Sequence, residues 1–255
     1  MLLTIDIGNT NITFGVFEGE TLRTTWRIAT NIQNMADEYA TFLLNILHHK
    51  GLYTSNITEI AMCSVVPPLT TTFVDLAQRY FNLKPLVIGA GVKTGVRIRF
   101  DNPREVGADR IANTAAAHHL YDGPVIVADL GTATTFDIVS KEGDYIGGII
   151  ATGIATAAEA LFTRTAQLPR VELTHPAKVI GSNTIAGIQS GIVFGYTALV
   201  EGMVARIEKE LKEKAIVVAT GGYAQLIANE TKIIDVVNLD LTLIGLRLIY
   251  EMNKA

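Results

Sequence analysis

Asp6-Ile7-Gly8-Asn9-Thr10-Asn11 places a carboxylate, a glycine and a run of small polar side chains between two apolar stretches, Leu2–Ile5 and Ile12–Phe17. The order reads as strand, tight turn, strand. Such a turn presents backbone N–H groups and hydroxyls to an anion rather than filling a core. The acid at its edge suits a divalent metal that offsets polyphosphate charge. A single copy is also what any structural β-turn uses. The pattern returns at Asp129-Leu130-Gly131-Thr132-Ala133-Thr134-Thr135, again after an apolar run, Val125–Ala128. Recurrence at the same relative place in two halves favours the anion-binding reading. A third element, Thr220-Gly221-Gly222, lies between an apolar strand and a short helix. There, backbone without side chains can approach a flat ligand such as an adenine and its ribose.

Competing chemistries fail on spacing. Gly89-Ala90-Gly91-Val92-Lys93-Thr94-Gly95 imitates a phosphate loop, but its glycines are wrongly spaced for a P-loop or a dinucleotide fold, so it reads as a loop connecting lobes. Four of the five histidines form the adjacent pairs His48-His49 and His118-His119. Helix neighbours point about 100° apart, so neither pair chelates one metal readily. Cys63 is the single cysteine, which excludes an intrachain disulfide and a multi-thiolate zinc site. It reads as a small core residue.

The elements that must hold these groups follow from periodicity. Thr21–Ala29 continues the first hairpin as a third strand. A helix from about Met35 to Lys50 has Tyr39, Phe42, Leu43, Ile46 and Leu47 on one face and stops at Gly51. Ile60–Val66 is a buried strand ended by Pro67-Pro68; a helix to Phe81 and a strand at Leu86–Ile88 follow. Val96–Phe100 reads as a connecting strand and Asp101-Asn102-Pro103 as its break, before a helix to Leu120. The second half repeats the layout: a hairpin from Val125, a strand over Tyr145–Ile150, and a helix around Ala155–Thr163. A long helix at Thr184–Lys214, the Ile216–Ala219 strand, a strand at Ile233–Val237 and a helix over Leu241–Met252 complete it. This predicts a duplicated α/β chain, 1–122 and 123–255, with a Gly/Asp turn in each lobe facing a cleft that holds a nucleotide.

Composition narrows the partners. Over 255 residues, 49% are hydrophobic and 18% charged, which excludes disorder, and the net charge of −4 argues against a nucleic-acid surface. The chain opens directly into the Asp6 strand, and the apolar Ile185–Val204 segment carries Gln189, Ser190, Glu201 and repeated glycines. Both point to a cytoplasmic protein with no membrane partner. Gly187, Gly191 and Gly195 recur every four residues, which suits a tight helix–helix contact within the chain or between subunits.

The two Gly/Asp turns and Gly221-Gly222 resemble the two phosphate motifs and the adenosine motif of the actin, Hsp70 and sugar-kinase superfamily. From end to end the chain resembles the type III pantothenate kinases. The resemblance rests on Asp6–Asn11, Ser64-Val65-Val66-Pro67, Asp101-Asn102-Pro103 with Gly107-Ala108-Asp109-Arg110, Asp129–Thr135 and Ile180-Gly181-Ser182-Asn183-Thr184. It implies ribonuclease H-like, actin-like ATPase lobes around an active-site cleft, a homodimer, and ATP-dependent phosphorylation of pantothenate to 4′-phosphopantothenate, which opens coenzyme A synthesis. It implies Asp109 as proton acceptor, and Gly107, Ala108, Asp109, Arg110, Phe100 and Thr184 as the pantothenate contacts. ATP would meet Asp6, Ile7, Gly8, Asn9, Thr10, Asn11, Ile12, Thr13, Thr132, Gly221 and Gly222. Asp129 would serve a monovalent cation, K⁺ or NH₄⁺, while charge alone suggests Asp6 for the Mg²⁺ of Mg²⁺-ATP. Phe100 stands where the family commonly has tyrosine, which removes one hydroxyl contact.

Asp109-Arg110 taken alone is an ordinary charged pair on a helix. Its chemistry nonetheless suits the resemblance, because transfer to an alcohol needs a base for the hydroxyl proton and a cation for an acidic substrate. Two rivals remain at this level: a superfamily enzyme acting on another small alcohol or on polyphosphate, and a non-catalytic nucleotide-binding regulator. An iron–sulfur ATPase activator of this fold is excluded by the single cysteine.

Overall fold

The computed structural model describes residues 1–254. Contacts divide the chain into two units: residues 1–96, 101–116 and the chain from Leu241 onward form one, and residues 97–100 and 117–240 form the other.

The first unit begins with β1 (Leu2–Ile7), β2 (Asn11–Glu18) and β3 (Thr21–Ala29), followed by α1 (Ala36–His49), β4 (Glu59–Ser64), α2 (Pro67–Leu76) and β5 (Leu86–Val87). Its sheet runs β3-β2-β1-β4-β5, with β1 antiparallel to β2 and parallel to β4. Central β1 is almost wholly buried because both of its faces are covered, whereas edge strand β3 alternates between exposed and half-buried residues. On one face Leu3, Ile5 and Ile7 join a core with Tyr39, Leu43 and Leu47 of α1 and Leu69 and Phe73 of α2. Phe14 stacks on Trp26 at 5.3 Å between ring centroids, and Tyr39 meets Phe73 at 4.9 Å. Phe42, expected on the core face of α1, is 52% exposed, since the inward stripe narrows to Tyr39, Leu43 and Leu47. The helix begins where the Glu38 carboxylate accepts from the Met35 N–H at 2.8 Å and ends at Gly51, whose φ is +73°.

Alternation along β1 sends Thr4 and Asp6 to the opposite face. That face is covered by α7 (Leu241–Asn253), which packs on β1, β2 and β4. Helix α3 (Ala108–Leu120) lies against α7 so closely that a Cβ on Gly245 would strike the Ala112 carbonyl.

The second unit contains β6 (Val125–Leu130), β7 (Ala133–Val139), β8 (Tyr145–Thr152), α4 (Ile154–Arg164), α5 (Thr184–Leu211), β9 (Ile216–Thr220), α6 (Ala224–Ala228) and β10 (Val236–Val237). Its sheet order, β10-β9-β6-β7-β8, is that of the first sheet: a central strand antiparallel to the next strand in sequence and parallel to the one after the crossover. The long helix α5 has the length and composition to cross a membrane, but its row Ile188, Ile192, Tyr196, Val200, Val204 and Ile207 is buried with Ile126, Ala128 and Leu130 of β6. Gly187, Gly191 and Gly195 lie elsewhere on α5, and a Cβ on any of them would meet nothing within 4 Å. Among the described residues the chain approaches this stripe at Gly187, where the Gly181 backbone packs so closely that a Cβ on Gly181 would strike Gly187 N.

Four local expectations change. Val96–Phe100 is not a strand; it makes one bridge, Ile98 with Tyr145. The helix expected after Pro103 splits into a 3-10 turn, Pro103–Glu105, and α3, leaving Gly107 outside both. Helix α5 stops at Leu211 because Lys212 turns left-handed at φ 60°. The last strand shrinks to Val236–Val237.

Gly245→Ala should lower unfolding free energy by about 2 kcal/mol, as overpacked cores do, and shift the denaturant midpoint accordingly. An unchanged midpoint would show that α7 slides away from Ala112 without penalty.

Candidate active site

In the first unit the turn between β1 and β2 is braced from below. The Gly8 N–H donates to Asn11 O at 3.1 Å, Thr30 N–H donates to Thr10 O at 2.9 Å, and the Thr30 hydroxyl donates to Gly8 O at 2.7 Å. Asn9, Thr10 and Asn11 are exposed, while the Ile7 and Ile12 side chains belong to the core and leave only their backbone for a ligand. Thr13 is half-buried, opposite Asp6 in the ladder.

Asp6 is the unusual group. Its carboxylate accepts a hydrogen bond from the Cys63 thiol at 3.3 Å, and Cys63 is its register partner on β4. Burial first, and then the negative charge of Asp109, push the Asp6 pKa up to about 7, against the opposing effect of the thiol. Cys63 in turn is driven well above the usual thiol range by burial and by the two carboxylates, so it remains a protonated donor. Cys63 is the small buried core residue expected, and this contact adds a polar partner to it.

Asp109 is the second residue of α3. Its Oδ1 accepts from the Arg110 backbone N–H at 2.8 Å. Burial raises its pKa, and the Arg110 N–H and guanidinium hold it back. Gly107 is glycine for a steric reason: a Cβ there would collide with Asp109 Oδ1, and Val65 lies just beyond. Asp6, Cys63, Gly107, Asp109 and Arg110, drawn from three separate stretches of sequence, thus form one acidic cluster in this unit.

The second unit repeats the turn with different bracing. Asp129 sits fifth in β6 as Asp6 sits fifth in β1, and the Gly131 N–H donates to Ala133 O at 3.0 Å as Gly8 does to Asn11. Gly221, at φ +89°, packs against the same acid; a Cβ there would stand 2.5 Å from Asp129 Oδ1. Tyr223 N–H donates to Leu130 O at 3.1 Å, tying the glycine pair to the turn. Gly222 is exposed and faces open space. Thr132 is exposed at the tip of the turn, and its carbonyl accepts from the Thr156 hydroxyl at 3.0 Å. Gly153 crosses so close to the Thr132 carbonyl that no side chain fits, and the Tyr196 hydroxyl holds this corner through Thr152 O at 2.8 Å. Gly153, Thr156, Tyr196 and Thr30 went unremarked in the sequence; only Gly153, a glycine at a strand–helix junction, carried a readable signal.

Two expected substrate residues, Phe100 and Thr184, belong to the second unit. Phe100 is half-buried with its ring 6.1 Å from that of Tyr145, at the opposite end of β8 from Thr152. Thr184 is the exposed first residue of α5, behind Asn183, whose side chain accepts from Ala186 N–H at 2.9 Å.

Two matched sheets, each with a Gly/Asp turn at the end of its central strand, define an actin-like ATPase fold. An activator of 2-hydroxyisocaproyl-CoA dehydratase from Clostridium difficile, solved with bound ADPNP, has the same fold at TM-score 0.53 and 10% identity, covering 99% of this chain and 95% of that one. A Baf family transcriptional activator from Campylobacter jejuni matches at TM-score 0.59 and 21% identity over 98% of both chains. The family follows from sequence: residues 2–206 match the type III pantothenate kinase profile. A type III pantothenate kinase of Dehalococcoides mccartyi, strain BAV1, is 58% identical over 254 residues, 100% of this chain and 97% of its own. This chain belongs to the type III pantothenate kinase family.

The raised pKa of Asp6 has a stability consequence with a definite sign. Between about pH 4 and 7 the folded protein holds a proton that the unfolded chain releases, so this group lowers stability as pH rises through that window. Without nucleotide or divalent cation, Asp6→Asn should therefore melt higher than the parent at pH 8, by on the order of 2 kcal/mol after discounting for residual solvent access, with the gap closing toward pH 4. A gap that does not depend on pH would contradict the assignment.

Proposed function

We propose that the protein phosphorylates pantothenate with ATP, giving 4′-phosphopantothenate, the first step of coenzyme A biosynthesis. The observation that carries this reading is the half-buried Asp109 carboxyl, raised in basicity and set beside Arg110, in a chain of this family. The pantothenate hydroxyl oxygen attacks the γ-phosphorus in line, the bond from that phosphorus to the ADP oxygen breaks, and Asp109 takes the hydroxyl proton. A carboxyl whose pKa is raised is a stronger base than a free one. Arg110 receives the pantothenate carboxylate, and Gly107, Ala108, Phe100 and Thr184 complete the substrate contacts. Asp6 to Thr13 and Thr132 contact ATP phosphates through N–H and hydroxyl donors, and Gly221-Gly222 receives adenosine.

The residues also fit cations. Asp109 raises the cost of ionising Asp6 in the same unit, so positive charge at Asp6 relieves a penalty the protein itself does not cancel. Asp6 would accordingly hold Mg²⁺ with the nucleotide, and Asp129 would serve K⁺ or NH₄⁺; when bound, these ions offset the charge on the phosphates. The exposed row of Gly187, Gly191 and Gly195 on α5, approached at Gly187 by the Gly181 loop and otherwise open, supports a homodimer.

Asp109→Asn should reduce kcat by roughly 10²–10⁴-fold while ATP still binds, and turnover near that of the parent would overturn the assignment. Arg110→Ala should raise the KM for pantothenate far more than that for ATP. In an ADP-release assay run with and without potassium, pantothenate should outperform a panel of other small alcohols, and faster turnover of a neutral alcohol would favour a different kinase specificity.

A further inference from the structure

Cys63 is the only cysteine of the chain and is fully buried in β4, a position that ordinary packing would fill with any small apolar residue. Its neighbours make it more than filler. Parallel pairing of β1 with β4 sets Cys63 directly beside Asp6, and the thiol donates to Asp6 Oδ1 at 3.3 Å. The second sheet has the same ladder position next to its own acid. Pairing of β6 with β9 sets Thr220 beside Asp129, and Thr220 too is buried. In both repeats the residue flanking the acid carries a hydrogen-bond donor on its γ atom, although every other buried residue of these two flanking strands is apolar.

We infer that Cys63 is a positioning residue for phosphoryl transfer: its thiol engages one oxygen of Asp6 and thereby presents the other to Mg²⁺-ATP. A carboxylate at a strand end has free rotation about its last torsion, and a single fixed donor on one oxygen removes most of that freedom. The thiol suits this role because it is a weak donor: it orients the acid without supplying positive charge that would compete with a cation. This inference rests on Asp6 being the carboxylate that serves Mg²⁺-ATP.

The test is a rank order. For a residue that merely fills the core, a hydroxyl is worse than a methyl, because burying it costs desolvation. For a donor to Asp6 the order reverses. Cys63→Ala should weaken Mg²⁺-ATP roughly 10-fold, read both as KM and as a smaller thermal shift on adding Mg²⁺-ATP, with the pantothenate KM unchanged. Cys63→Ser should retain more of both signals than Cys63→Ala. The isosteric pair Cys63→Thr and Cys63→Val repeats the comparison at constant volume, so that a packing defect in one pair does not decide the outcome. Serine and threonine variants that match or fall below their alanine and valine counterparts in Mg²⁺-ATP response would overturn the inference. Asp6→Asn separates the two readings. If it leaves Mg²⁺-ATP binding intact, the role of Asp6 itself is wrong; if it abolishes binding while the Cys63 series follows the core-filling order, only the role of Cys63 is wrong.

Discussion

A carboxylate at the end of a central strand, where the apolar ladder stops and the backbone turns, is the constraint around which both halves of this protein are built. Asp6 and Asp129 are each flanked by an antiparallel strand on one side and a parallel strand on the other, so the backbone of neither can shift without breaking the sheet. The sheet supplies rigidity, and the turn that follows supplies donors. Everything beyond, including the helices over the outer faces, keeps those two strand ends in place against the cost of desolvating an acid.

The duplication preserves that constraint but not its details. The first turn is longer and is held from below by Thr30, a residue that follows the third strand of its own sheet. The second is shorter and is clamped from above by Gly153 and Thr156 at the start of α4. Gly221 crowds Asp129 in the second unit, whereas the Asp109 cluster occupies the space near Asp6 in the first. One copy has thus become a place where glycine backbone meets the acid, and the other a place where a second acid does. That divergence fits the proposed placement of the proton acceptor, Asp109, in the first unit alone.

Much of this was legible in the sequence because it depends on local rules. Alternation, proline stops and the glycine after α1 marked the strands and helices within a few residues, and the repeated Asp-x-Gly turns announced the duplication. What stayed hidden was set by pairing across the sheet or between helices. Cys63 is core as its strand suggests, but its contact with Asp6 was hidden because a parallel crossover alone brings the two together. Phe42 looked buried because helical periodicity does not say how wide the covering surface is. Residues 96–100 were apolar enough for a strand, yet find a partner at a single bridge. Gly107 gave no sign that its missing side chain makes room for the Asp109 carboxylate, since that collision depends on the side-chain rotamer at the start of α3.

The two acids of the first unit show how environment separates roles that residue type does not. Asp109 is held by a cationic neighbour and by a backbone N–H at the head of a helix, both of which favour its ionised form. Asp6 has only a neutral thiol and feels the charge of Asp109, so it bears the larger penalty for ionisation. Burial raises the pKa of both acids, but only Asp109 has a cation and a helix-head N–H to oppose it, which fits its proposed part as proton acceptor and that of Asp6 beside a cation. Under the proposed function, the cost of ionising Asp6 beside Asp109 is one that a cation at Asp6 would relieve.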